Sequence, residues 1–195
     1  GLRKLGARVI LAGPPTLVKG TQLGSLGWYT NNYATGASPV GVAFDGTYLW
    51  TSNYVGDSVT RISPTTGAGT TFALPSGAVQ PVGIAFDGTY IWTANSLTNN
   101  VTRITPSTGA GTNYALPSGA INPRGVVFDG TNIWIANSTA GPSGYTVTKV
   151  DPATGAGTSF LLPTGASSPF GIGFDGTNLW TANSGGSNVT RINPA

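Results

Sequence analysis

The chain has 195 residues and a formal net charge of +3, and only 8% of its residues are charged. It contains no Cys and no His, and all six acidic residues are Asp. The lack of Cys excludes disulfides, thiolate nucleophiles and thiolate metal sites, and we expect no cofactor. No stretch approaches the roughly 20 apolar residues that a membrane span requires. The length suits one domain with a substantial core.

The first 27 residues do not match the repeats that fill the rest of the chain, so we predict an N-terminal arm at residues 1–27. The arm holds four of the nine basic residues and the apolar stretch around Arg8, Val9, Ile10 and Leu11. An isolated strand is not stable in water. We therefore expect these four residues to form an assembly element that docks on a neighbouring subunit. Four charges are too few to predict a nucleic-acid partner.

Residues 28–195 are predicted to form one domain built from a repeated sequence. The pattern Pro-x-Gly-x-x-Phe-Asp-Gly-x-x-x-Trp-x-x-Asn begins at Pro39, Pro81, Pro123 and Pro169. Its Trp residues lie at positions 50, 92, 134 and 180, which are 42, 42 and 46 residues apart. A fixed period of this size indicates a repeat architecture.

Each repeat reads as four short strands joined by turns. In the second repeat Val82, Ile84 and Phe86 alternate with small residues, which is the pattern of a strand. The Asp87-Gly88 pair that follows is a strong hairpin signal, because a tight primed turn needs positive φ. The later strands are predicted at 90–94, 101–104 and 112–116. Four antiparallel strands in this length make one propeller blade, and we expect the Trp rings to fill the gaps between blades.

The fourth repeat stops after its third strand, at residues 189–192. Residues 28–34 precede a Thr-Gly-Ala-Ser-Pro segment that resembles the one before the fourth repeat, and we predict that they supply the missing strand. The prediction is an all-β fold: a β-propeller of four blades, each with four antiparallel strands, whose ring is closed by an N-terminal strand pairing in the last blade. A fragment of a larger ring, or an open arc completed by another subunit, is the alternative.

Carboxylates are the scarce reactive groups. The Asp-Gly turns could form a fourfold ring of oxygen ligands for a cation. We interpret them as turn residues only and predict no metal site; they are Asp45, Asp87, Asp129 and Asp175.

Departures from the repeat gather on one face, where the loops between second and third strands and between fourth and first strands open. We call this the loop face. Loops on a rigid scaffold commonly carry recognition. The candidate ligand-binding residues are Tyr54, Asp57, Leu97, Asn99, Arg124, Tyr145 and Phe170. Aromatics beside hydroxyl and amide side chains suit a protein or a carbohydrate, and the alternative is drifted loops with no ligand.

The repeat, with its following Asn-x-Val-Thr-Arg-Ile and Tyr-x-Leu-Pro segments, resembles NHL and YVTN propeller repeats and is most similar to the streptogramin B lyase (virginiamycin B lyase) group. The resemblance covers residues 28–195. It implies a working His directly after the repeat's Pro, where this chain has Val40, Val82, Arg124 and Phe170. It also implies a Glu where this chain has Asn53, Asn95, Asn137 and Asn183. The lyase chemistry therefore does not carry over.

These observations predict a non-catalytic, extracellular or cell-surface propeller that acts as a binding or structural, self-assembling unit, including as part of a filament. The partner is predicted to be a protein, a second copy of the chain or a carbohydrate. Three N-glycosylation sequons agree weakly with an extracellular location and begin at Asn100, Asn137 and Asn188. A lyase-like enzyme, or an inactive relative of one, is the alternative.

Overall fold

The computed structural model describes residues 31–141 and 143–194. The chain divides into two units, Gly1–Asn32 and Tyr33–Ala195, and every described strand belongs to the second unit. The described residues contain fifteen strands: β1 Pro39–Phe44, β2 Leu49–Asn53, β3 Ser58–Ile62, β4 Gly69–Ala73, β5 Pro81–Phe86, β6 Ile91–Asn95, β7 Asn100–Ile104, β8 Gly111–Ala115, β9 Ile121–Phe128, β10 Ile133–Gly141, β11 Gly144–Val150, β12 Gly157–Leu161, β13 Pro169–Phe174, β14 Leu179–Asn183 and β15 Asn188–Ile192.

The strands form four antiparallel sheets in chain order, which are the four blades of a β-propeller. Blades 1 to 3 have four strands each, and the fourth sheet contains β13, β14 and β15. The predicted four-bladed all-β fold is confirmed. The predicted closing strand at 28–34 lies partly outside the described residues, and its described part, residues 31–34, is not in a strand.

The Asp-Gly pairs lie in hairpins, as predicted, but not in the tight primed turns that the sequence indicates. The connection between β1 and β2 has four residues, and the Asp45 N–H donates to the Tyr48 carbonyl. Only Gly46 has positive φ, at 91°, whereas a primed type I turn needs it at both central residues. The Asp side chain instead fixes the turn, because Oδ1 of Asp45 accepts hydrogen bonds from the N–H groups of Thr47 and Tyr48.

The hydrophobic core lies between the blades. Trp50 and Val59 of blade 1 pack with Ile84, Ile91 and Ile104 of blade 2. The same arrangement recurs around Trp92 between blades 2 and 3, and around Trp134 between blades 3 and 4. The prediction that Trp rings fill these gaps is confirmed for Trp50, Trp92 and Trp134.

We call the first strand of each blade (β1, β5, β9 and β13) its inner strand. These strands approach the next blade closely at glycine positions. A Cβ at Gly41 would lie 2.6 Å from the Val82 carbonyl oxygen, and one at Gly125 would lie 2.7 Å from the Phe170 carbonyl oxygen. Because both neighbours are backbone atoms, they cannot turn aside. Glycine is therefore required wherever two inner strands meet.

We call the contact between two neighbouring blades a joint. Basic side chains of the third strands hold the outer part of a joint. The Arg61 guanidinium lies 4.7 Å from the Tyr48 ring centroid and donates through Nη1 to the Pro106 carbonyl in the next blade, at 2.7 Å. Arg103 makes the equivalent bond to the Pro152 carbonyl at 2.9 Å. The repeated Val-Thr-Arg-Ile segment is thus part of the joint between blades.

No helix in the described part of the chain is long and apolar enough to cross a membrane.

Candidate functional site

Several residues of the loop face have an uncommon backbone conformation. Left-handed φ values of 41° to 58° occur at non-glycine residues in two equivalent places in the repeat. One place directly precedes the Pro that begins each sequence repeat, and the other directly precedes the third strand. They are Ser38, Gln80, Asn122 and Ser168, and Asp57, Asn99 and Ser187. Such residues persist only where their surroundings hold them.

Two of the predicted ligand-binding residues supply that support. Oδ1 of Asp57 accepts a hydrogen bond from the backbone N–H of Gln80 in the next blade, at 2.8 Å. Oδ1 of Asn99 accepts the equivalent bond from the N–H of Asn122, also at 2.8 Å. Each side chain therefore ties its own blade to the left-handed residue of the blade that follows.

Tyr54 and Tyr145 join the same system. The Tyr54 hydroxyl donates to Oε1 of Gln80 at 2.9 Å. The Tyr145 hydroxyl bonds to Ser167 and also to Ser168, and the bond to Ser167 is the main reason that the pKa of Tyr145 is lowered. Tyr145 lies in the lengthened β10–β11 hairpin, which carries an insertion of four residues, the difference between the 46-residue spacing of Trp134 and Trp180 and the 42-residue spacing elsewhere. It spans the joint between blades 3 and 4 as Asp57 and Asn99 span the first two joints.

Three predicted residues, Leu97, Asn99 and Phe170, are exposed, and Arg124 is half-buried. Leu97 is 62% exposed and Phe170 is 46% exposed. The Arg124 guanidinium lies 5.3 Å from the Phe170 ring centroid, on the neighbouring inner strand. Its Nε is buried and finds no hydrogen-bond partner among the described residues. Arg124 and Phe170 are thus brought together at the inner-strand end of the loop face, whereas Leu97 lies on a separate loop.

The four turn carboxylates serve their own blades. In each, Oδ1 accepts two backbone N–H bonds and Oδ2 accepts the indole N–H of the Trp five residues on, at 2.6 to 2.7 Å. Burial alone would raise the pKa of Asp45 and Asp129, but these bonds lower it. The bond from the Asn178 N–H, followed by that from Trp180, lowers the pKa of Asp175 to about 2. In the described part of the chain no three acidic side chains come together in a way that could hold a metal ion.

A buried amide network was missed by sequence reasoning. The Asn that ends the second strand, or its equivalent in the longer β10, donates through Nδ2 to a Thr of the third strand: Asn53 to Thr60, Asn95 to Thr102, Asn137 to Thr148 and Asn183 to Thr190. The Asn-to-Thr spacing, which the insertion lengthens only in the third repeat, was visible in the sequence. Asn137 is fully buried, so its sequon cannot accept a glycan on the folded chain.

One cavity on the loop face lies close to Tyr145, whose chain neighbours Gly144 and Thr146 line it. It has a volume of about 250 Å³ and lies beside the β10–β11 hairpin, between Gly119, Thr146 and Leu161. Its size is below the range of about 300–1,000 Å³ that is usual for small-molecule sites.

Fold and loop face together define the chain as a β-propeller. Among solved structures it is similar to a catalytically inactive virginiamycin B lyase from Staphylococcus aureus with quinupristin, with a TM-score of 0.70 and 21% identity over 80% of this chain and 52% of that chain. A streptogramin B lyase structure gives a TM-score of 0.64 and 20% identity over 80% of this chain and 55% of that chain. Kuenenia stuttgartiensis hydrazine synthase gives a TM-score of 0.63 and 21% identity over 79% of this chain and 44% of that chain.

The structural neighbours of the chain therefore include streptogramin B lyase propellers, and the chain spans about half the length of the lyases it matches. Identities this low show the fold alone. No family model matches the sequence. No curated protein matches it either.

Proposed function

We propose that the chain is a non-catalytic, extracellular propeller that acts as a binding and structural unit for a protein partner, another copy of the chain or a carbohydrate. The observation that supports this most is the use of the loop face. Asp57, Asn99 and Tyr145, which sequence reasoning offered as ligand contacts, bond to the next blade. These bonds give the three side chains a role in holding the scaffold.

The state of the carboxylates also favours a non-catalytic role. General acid–base catalysis at neutral pH needs a group whose pKa lies near the working pH. The chain has no His, no Cys and six Asp. All six carboxylates accept hydrogen bonds, and the pKa is lowered for Asp45, Asp129, Asp151 and Asp175. A lowered pKa moves a carboxyl group away from the range in which it could donate a proton.

Assembly through the N-terminal arm belongs to the same proposal. Arg8, Val9, Ile10 and Leu11 lie outside the described residues, and their role stays a prediction. The extracellular or cell-surface location is also a proposal. Of the three sequons, only Asn188 is exposed, and its Nδ2 donates to the Gly165 carbonyl.

The experiment that tests the proposal is an assay for lyase activity. The purified chain is incubated with quinupristin, with and without magnesium, beside an active virginiamycin B lyase as positive control. We expect mass spectrometry to show no linearised product above the buffer control. Product that rises in proportion to the chain, and that is lost in Arg124→Ala, would overturn the proposal in favour of the lyase-like alternative.

A further inference from the structure

The first and last blades present apolar faces whose counterparts are buried at every internal joint. On blade 4, Trp180 is 38% exposed and Val189 is 64% exposed. The equivalent Trp residues of blades 1 to 3 are at most 2% exposed, and the equivalent Val residues are fully buried. We call the surface formed by Gly171, Trp180 and Val189 the trailing face.

The opposite surface of blade 1, which we call the leading face, consists of Val40, Val42 and Phe44. Val42 is 67% exposed, whereas Ile84, its equivalent in blade 2, is 7% exposed because blade 1 covers it. The leading face is thus the half of a joint that receives the preceding blade.

The space around the inner-strand glycines shows independently that the trailing face is uncovered. A Cβ at Gly41, Gly83 or Gly125 would collide with the backbone of the next inner strand. At Gly171, the equivalent position in blade 4, a Cβ would meet only the Cβ of Ala182, at 3.8 Å. A hollow of about 780 Å³, lined mainly by apolar surface, opens beside Gly171 between Phe170 and Val189. The trailing face therefore has the shape of a contact surface between blades that no blade covers in the described part of the chain.

Aromatic side chains that cover a glycine of the next blade show which part of a joint is missing at the first blade and at the last blade. Between blades 1 and 2, the ring of Phe72 on β4 covers Gly109 in the next blade, and Tyr114 on β8 covers Gly155 in the same way. Tyr33 covers Gly67 of blade 1, although no blade precedes it among the described residues. Blade 1 thus already carries the aromatic side chain of a preceding outer strand. Blade 4 ends at β15 and has no outer strand in the described part of the chain.

We propose that the trailing face of one copy of this chain docks on the leading face of a second copy, head to tail, with β15 pairing with residues 31–34 of that copy. The inference deepens the proposed structural role and rests on it. A second copy is the fitting occupant because the two faces are the two halves of a joint that the same chain forms three times. Both faces are exposed among the described residues of one chain.

Charge and polar groups agree with this pairing. Arg61 and Arg103 donate to the carbonyls of Pro106 and Pro152 in the following blade, and the equivalent Arg191 is exposed. By the same geometry, Arg191 would reach the Pro64 carbonyl of the second copy. Only 8% of the residues are charged, so little repulsion opposes the contact. A head-to-tail contact gives a closed ring if its rotation closes and a filament if it does not.

The first test compares hydrodynamic mass by sedimentation velocity over a range of concentrations. The intact chain should sediment as a multiple of one chain. Gly171→Val should sediment as a single chain, since its side chain fits the folded blade but would strike the inner strand of the docking copy. Thr112→Val, on an exposed position of β8, is the matched control and should assemble as the intact chain does.

The second test mixes two variants, each of which has one of the two faces blocked. Val42→Asp blocks the leading face and Val189→Asp blocks the trailing face, so each variant alone should be a single chain. Mixed together they retain one working joint and should form a dimer of one copy of each. Failure of the mixture to dimerise would refute the head-to-tail pairing.

The remaining outcomes are also decisive. An intact chain that stays single at every concentration overturns the inference, and so does assembly that survives Gly171→Val. If assembly is lost instead in the Ile10→Asp, Leu11→Asp double variant alone, the arm carries it and the end faces do not. Turnover of quinupristin would defeat the proposed function whatever the mass, whereas an inert single chain defeats this inference only.

Discussion

Replacing Asp129 with Asn should destabilise the fold by leaving a buried indole N–H without an acceptor. Oδ2 of Asp129 accepts the Nε1–H of Trp134 at 2.6 Å, and Oδ1 accepts the N–H groups of Thr131 and Asn132. In the Asp129→Asn variant the new amide can serve only one of these two sets of donors. Whichever way it turns, its NH₂ group points at another donor. Trp134 is only 2% exposed, so water cannot take over the bond.

The size of the effect follows from these contacts. A buried donor left unsatisfied costs about 1–3 kcal/mol, and the lost bond is to a charged acceptor, so we expect a loss of about 2 kcal/mol in the free energy of unfolding. With a urea m-value of about 2 kcal/mol per molar, the midpoint of unfolding should fall by about 1 M. Urea titration followed by tryptophan fluorescence and far-ultraviolet circular dichroism measures this shift.

The matched control is Asp151→Asn, which removes the same charge from an exposed turn. Its Oδ2 accepts a hydrogen bond from the Thr154 hydroxyl at 2.9 Å. In the variant the same hydroxyl can accept a hydrogen bond from the new NH₂ group. The change should stay within about 0.5 kcal/mol. If Asp129→Asn costs no more than Asp151→Asn, the indole bond does not stabilise the blade and the reasoning is wrong.

Low pH should also weaken the fold, and so should a larger side chain at a joint. The pKa of Asp45, Asp129 and Asp175 is lowered from 3.8, so their contribution is complete above that value and is lost as the native carboxylates protonate, for Asp175 at about 2. The urea midpoint should therefore fall as pH drops from 3.8 towards 2, and a midpoint that stays constant there would contradict the assignment. Gly125→Val should cost about 1–3 kcal/mol, because the new Cβ lies 2.7 Å from the Phe170 carbonyl oxygen and blade 4 must move away; a melting temperature equal to that of the intact chain would show that the joint is not rigid.

The blades were predictable because the signals that define them are local. Alternation, the Asp-Gly pairs and the regular Trp spacing all act within one repeat, and the strands formed where they indicated. The turn geometry was mispredicted because the Asp carboxylate, not a primed backbone turn, closes the hairpin. That role depends on an indole five residues away, and an Asp-Gly pair alone does not reveal it.

The loop-face residues were predicted less well because their partners lie far along the chain. Asp57 bonds to Gln80 and Asn99 to Asn122, both 23 residues away. A side chain that departs from a repeat looks available for a ligand until the neighbouring blade is in place. The exposure of Trp180 escaped prediction for a related reason. Its sequence context matches that of Trp92, and only the absence of a covering blade among the described residues separates them.

Variation on the loop face therefore carries less functional information than it first suggests. The first three joints use an Asp carboxylate, an Asn amide and a Tyr hydroxyl to hold the residue before the inner-strand Pro. All three can accept a hydrogen bond from a backbone N–H, so any of them satisfies the left-handed residue. Sequence can drift among such acceptors without changing the joint. Arg124 is different, because its buried Nε has no hydrogen-bond partner among the described residues and its guanidinium lies against the exposed ring of Phe170. On this face, Arg124 is therefore the residue on which a search for ligands should concentrate.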